Sequence, residues 1–212
     1  MTPSSFDPIS KPNLFLSQWP RIALVWVFTP LIALASWRFL IGGVEMTMPH
    51  MMHHVPAREL AFDLHILLAP VALILVPFQF WTRLRTRRPA LHRWLGRLYA
   101  VAILISGIAG LQIAIGTNAG PVAAWGFGLL AVLWMAVTGY AVWLAVLRRI
   151  ADHRRWMIRS AALTLAGTTL RLELPLLAMG FGFETGYVIV AWACWVPNAL
   201  LAEWLLRRQR QT

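Results

Sequence analysis

The sequence predicts an all-α integral membrane bundle of six transmembrane helices, with the second to the fifth as its core. Three observations carry this. First, 59% of the 212 residues are hydrophobic and 13% charged, and mean hydropathy is +0.64. A soluble domain is about a quarter charged, so too little polar surface exists here to coat a water-soluble enzyme; disorder is excluded for the opposite reason. Second, the apolar residues fall into six runs, each near the roughly 20 residues that cross a bilayer. Third, arginines crowd every second break between the runs. A segment in lipid must satisfy its own backbone hydrogen bonds, so the runs are helices.

Residues 1–20 are polar, rich in Ser and Pro, carry Lys11, and read as a flexible cytoplasmic tail. A single transmembrane domain over 21–206 and a basic cytoplasmic tail over 207–212 follow. The runs cover about 22–41, 60–81, 98–116, 122–147, 158–180 and 186–206. Pro70 and Pro77 break the second. Ala33-Leu34-Ala35 in the first resembles a signal-peptidase site, but the run continues to Ile41 at full span length.

Orientation follows from charge. The break after the second run holds Arg83, Arg85, Arg87, Arg88, Arg93 and Arg97. The break after the fourth holds Arg148, Arg149, Arg154, Arg155 and Arg159, and the tail holds Arg207, Arg208 and Arg210. The opposite breaks hold Arg58, with Arg38 near one end of the first run. Basic loops stay in the cytoplasm, so both termini are expected there. The net charge of +11 thus reflects membrane topology, not nucleic-acid binding. Cys194, alone in an apolar run, excludes an intrachain disulfide. Trp19, Trp81, Trp94, Trp125, Trp156 and Trp204 fall near predicted interfaces, where an amphipathic ring is favoured.

A weak repeat is present. His92-Arg93-Trp94-Leu95-Gly96-Arg97 opens the third helix and His153-Arg154-Arg155-Trp156-Met157-Ile158-Arg159 the fifth. Either two hairpins are related, or both starts collect the same interfacial residues. These two segments, with Pro89, Tyr99, Ser160, Thr169-Leu170-Arg171, His65, Pro77 and Gln79, resemble a family of predicted bacterial membrane proteins of unknown function. The resemblance covers about residues 60–175 and implies a bacterial inner-membrane location, but no activity. A more distant likeness is to b561-type cytochromes, whose histidines pair the second helix with the fourth and the third with the fifth around two haems. His92 and His153 match the inner pair. The fourth helix here has no histidine, so His65 lacks the partner that pattern requires.

Three constellations suggest chemistry. His92 and His153 suit the axial positions of a b-type haem, with nearby arginines for its propionates; the alternative is a pair of interfacial residues. Ser160, Thr164, Thr168 and Arg171 share one face of the fifth helix. A buried arginine costs about 2.5–3.5 kcal/mol on insertion scales, so Arg171 should face the interior with a partner. Asp63 is the expected partner, with Glu173 turned to another helix and His65 and Gln112 at similar depth. That set forms either a pocket for a quinone, a haem propionate or a small carboxylate, or a structural ion pair. Finally, Met48, His50, Met51, His53 and His54 lie in a segment dense in thioether and imidazole, ligands that suit Cu(I); the alternative is an adaptable loop over the pocket.

The leading expectation is a membrane redox or electron-transfer protein holding b-type haem or a quinone. One alternative is a carrier or binding protein for a small anionic or lipid-like molecule at Arg171. Another is a small subunit or scaffold of a membrane complex, or a homo-oligomer. Whether the protein is an enzyme is left open.

Overall fold

Among the described residues every apolar run is mainly helix, and most helices outrun the run that predicted them. The computed structural model describes residues 26–209. The expected tail over 1–20, the start of the first run and Arg210 lie outside the described residues. The elements are α1 (Trp26–Ser36), α2 (Phe39–Thr47), a 3-10 turn (Pro49–His54), α3 (Val55–Phe80), α4 (Thr82–Arg87) and α5 (Pro89–Ile115). Then come α6 (Pro121–Val146), α7 (Ile150–Thr164), α8 (Ala166–Phe181), α9 (Phe183–Ala193) and α10 (Val196–Arg208). No strand occurs among the described residues.

Five helical stretches are long and apolar enough to cross a membrane: Pro49–Phe80, Pro89–Ile115, Pro121–Val146, Ile150–Phe181 and Phe183–Arg208. The first predicted run is not one straight rod. It breaks at Trp37 and Arg38, and α1 and α2 meet at 67°. Counted as one bent span, they make the sixth. The arginine loop after α3 is partly helical, as α4, and Pro89 at the first position of α5 fixes the φ that a helix start needs. α6 ends in a Schellman turn. The amide of Arg149 donates to Leu144 O (2.9 Å) and that of Arg148 to Ala145 O (3.0 Å). Arg148 sits there at φ 59°, a conformation usually given to glycine.

α3 packs along α5, α5 along α6 and α6 along α7, and α7 returns to α3. This ring is the expected core of the second to fifth spans. The buried cluster extends further, to Val190 and Cys194 at the α9 end of the sixth. Gly126 explains the extension: a Cβ there would stand 2.8 Å from Ala191 O, so only glycine lets α6 and α9 approach so closely. Large apolar side chains such as Leu104, Val132 and Leu176 stay exposed on the outside, as a lipid-facing surface requires. The ends of α3, α4, α7 and α10 gather the arginines at one end of the bundle, called the basic end below.

Candidate functional site

In the half away from the basic end, the bundle encloses a cavity of about 590 Å³. Most of its wall is apolar: Phe62, Ile66, Leu73, Phe127 and Leu170 are typical. Its charged lining residues are Arg38, at the bend between α1 and α2, and Arg171, on α8; no aspartate or glutamate lines it among the described residues. The two arginines are close enough to feel each other's charge. Arg171 Nη1 donates to Gly167 O, one turn back (3.0 Å), and Arg38 Nη2 to Thr47 O (3.4 Å). Neither forms an ion pair among the described residues. Since a guanidinium has five N–H donors, most of this capacity is unused.

His65 joins them. Its Nδ1 lies 2.8 Å from Ser106 O. A carbonyl only accepts, so Nδ1 carries the proton and Nε2 of the neutral ring carries a lone pair. Gly110 makes this position available, because a Cβ there would meet the His65 ring at 2.8 Å.

A closed hydroxyl network lies beneath the cavity floor and meets it at Trp134 and Thr164. Trp134 Nε1 donates to Thr164 Oγ1 (2.8 Å), which passes its own proton to Ser160 O (2.9 Å). The Tyr99 hydroxyl, 2.6 Å from Thr164 Oγ1, must then donate to it. Ser160 in turn donates to Tyr99 (2.9 Å) and Thr138 to Ser160 (2.7 Å). Every proton has an acceptor, and the network joins α5, α6 and α7.

Several expected site residues fall elsewhere. Asp63 does not pair with Arg171 and does not line the cavity. It is two residues from His65, and residues two apart point to different helix faces. Gln112 fails for the same reason, two residues beyond Gly110, and is exposed. The stripe on the fifth span divides at the joint near Leu165, where α7 gives way to α8. Ser160 and Thr164 enter the floor network and Arg171 reaches the cavity, but Thr168 Oγ1 is enclosed without a partner. Glu173 does not line the cavity, and its Oε2 is also buried without a partner.

His92 and His153 do come near each other, at the basic end and apart from the cavity. His153 Nδ1 donates to Ala141 O (2.8 Å), while His92 Nδ1 is buried without a partner. At the other end, Met48, His50 and Met51 line the cavity, and the His50 ring stacks on Phe183 at 3.7 Å. The segment expected as a loop is the 3-10 turn. No three His, Cys, Asp or Glu side chains converge as a metal group among the described residues. Sequence reasoning missed Arg38, read only as a flanking charge, and Trp134. An arginine inside an apolar run was the available signal for the first; for Trp134 it was a place at the middle of the fourth run, away from the predicted interfaces.

Fold and site together define a multi-pass α-helical membrane protein with a cation-bearing interior cavity. Residues 62–206 match the family described as "Predicted membrane protein (DUF2306)", and the chain belongs to that family. Nothing matches it among curated proteins or solved structures.

Proposed function

We propose that the protein binds an amphipathic anion, with an apolar body and a carboxylate or phosphate head, in the cavity around Arg171. The observation that carries this is a part-buried arginine in the cavity wall, with a second, more exposed arginine also lining the cavity and no acidic residue in the described lining. Such an arrangement is costly in a low-dielectric interior unless an anion completes it. The volume fits the usual 300–1,000 Å³ of ligand sites, and the wall is mainly apolar with a few polar groups to orient the head. Arg38 and Arg171 hold the anionic oxygens, and His65 Nε2 accepts a hydrogen bond from a hydroxyl or protonated head. With the basic end in the cytoplasm, the ligand enters from the outer half of the bilayer.

The test compares oleate with oleyl alcohol, which has the same tail and no charge, by thermal stability of the detergent-purified protein. Oleate raises the midpoint, oleyl alcohol does not, and Arg171→Met loses the response. An equal response to both, or its retention in the variant, contradicts the reading.

A second reading places b-type haem between His92 and His153. It is favoured by their proximity and by the Nδ1–carbonyl bond of His153, which leaves Nε2 for a metal as second-shell bonds do in metal sites. A reduced-minus-oxidised spectrum after haem-supplemented expression tests it: a Soret band supports it and its absence removes it.

A further inference from the structure

His53 and His54 do not line the cavity, although Met48, His50 and Met51 of the same turn and Phe62 beside His54 do. His54 is wholly buried (0% exposed), yet neither of its ring nitrogens has a partner. Beside it, at 3.9 Å between ring centroids, is His53. The Nδ1 of His53 lies 3.1 Å from His50 O, so it donates there and Nε2 keeps the lone pair. That Nε2 is also buried without a partner. Two adjacent imidazoles therefore present enclosed, unused lone pairs. Buried polar groups in proteins are nearly always satisfied, and an exception calls for an ion or a water. The hydrogen bond from Nδ1 to a backbone carbonyl is the outer-shell contact that orients a metal-binding histidine.

The surroundings select the ion. The His54 ring lies over Phe62 (6.1 Å), and Met48 and Met51 pack against the cluster containing Phe62. Two methionines of the same turn thus pack against the cluster of the ring that His54 faces. No carboxylate or thiolate joins them in a three-ligand group, and Arg58 acts on His54 electrostatically. A divalent ion would face that cation with no negative ligand to offset it. A soft monovalent ion suits neutral sulfur and imidazole donors. We propose that His53 and His54, with a thioether from Met48 or Met51, bind one Cu(I) ion. The His50 ring, held on Phe183, is not a ligand; only its carbonyl takes part.

The experiment titrates full-length protein in detergent, anaerobically, against the coloured Cu(I)–bicinchoninate complex. Wild type should withdraw one equivalent, and the double variant His53→Ala/His54→Ala should bind at least about tenfold more weakly. X-ray absorption of the copper-loaded wild type gives a readout that does not depend on folding of the variant. It should show imidazole nitrogen and sulfur around the metal. No withdrawal by wild type, equal withdrawal by the double variant, or a shell without imidazole overturns the proposal. Oleate binding is measured separately, so either site can fail alone.

Discussion

The two halves of the bundle treat buried polar groups in opposite ways. At and beneath the cavity floor, Tyr99, Thr138, Ser160, Thr164 and Trp134 bind only one another and one backbone carbonyl, and every donor is used. Above them, the part-buried Arg171 and His65 and the more exposed Arg38 each make a single hydrogen bond, to backbone. A satisfied network rigidifies the core that it joins. Groups left with free donors hold no structure together in proportion to their cost, so they are the ones open to a ligand. The lesson is that burial alone does not mark a site in a membrane protein; burial with unused hydrogen-bonding capacity does.

Removal of a polar group should therefore move stability in opposite directions in the two halves. Arg171→Met removes a guanidinium whose burial costs about 2.5–3.5 kcal/mol on insertion scales. The ligand-free variant should melt higher than wild type by denaturation in detergent while losing the oleate response. A lower midpoint would mean that Arg171 serves structure. Gly110→Ala places a methyl group against the His65 ring and should destabilise by about 1–3 kcal/mol, the range for overpacking. The ionised oleate head has no proton to give the Nε2 lone pair, so the oleate shift should persist in the same assay; its loss would mean that the displaced ring closes the space that the head occupies. Tyr99→Phe strips one hydroxyl from the floor, at about 1–2 kcal/mol for an interhelical hydrogen bond in a membrane. Its melting point should fall and its oleate shift persist, a split that sharpens the contrast between the halves. The smallest effect lies outside both. Arg148→Gly relieves a left-handed residue in the α6–α7 turn and should raise stability by about 1 kcal/mol, seen as a small gain in midpoint.

The fold was legible because lipid leaves the chain few choices. A run such as 122–147 has one spanning solution, and the observed helix, Pro121–Val146, departs from it by a residue at each end. Helix ends were harder where polar residues continue the helix beyond the apolar run: α7 begins at Ile150, eight residues before the fifth run, because Asp152 to Arg159 are helix-compatible without being apolar. The 67° bend at Trp37 and Arg38 was invisible, since hydropathy is a sum and carries no direction.

The site was legible one residue at a time. Arg171 and His65 stood out as ionisable groups inside apolar runs, and both line the cavity. Their neighbours were not legible, because depth along a helix says nothing about its rotation. Asp63 and Gln112 matched Arg171 in depth, yet each points away. Arg38 entered through a bend that no local pattern announced. Thr168 lies on α8 with Arg171, yet its hydroxyl is enclosed and does not line the cavity.

The central claim is that Arg38 and Arg171 together receive an anionic head group inside the bundle. A density map of the protein in lipid nanodiscs tests it most directly. The account predicts elongated density in the cavity, ending between the two guanidinium groups and within hydrogen-bond reach of both. A cavity collapsed around Arg171, with its guanidinium paired to Asp63 or turned to the acyl chains, would contradict it.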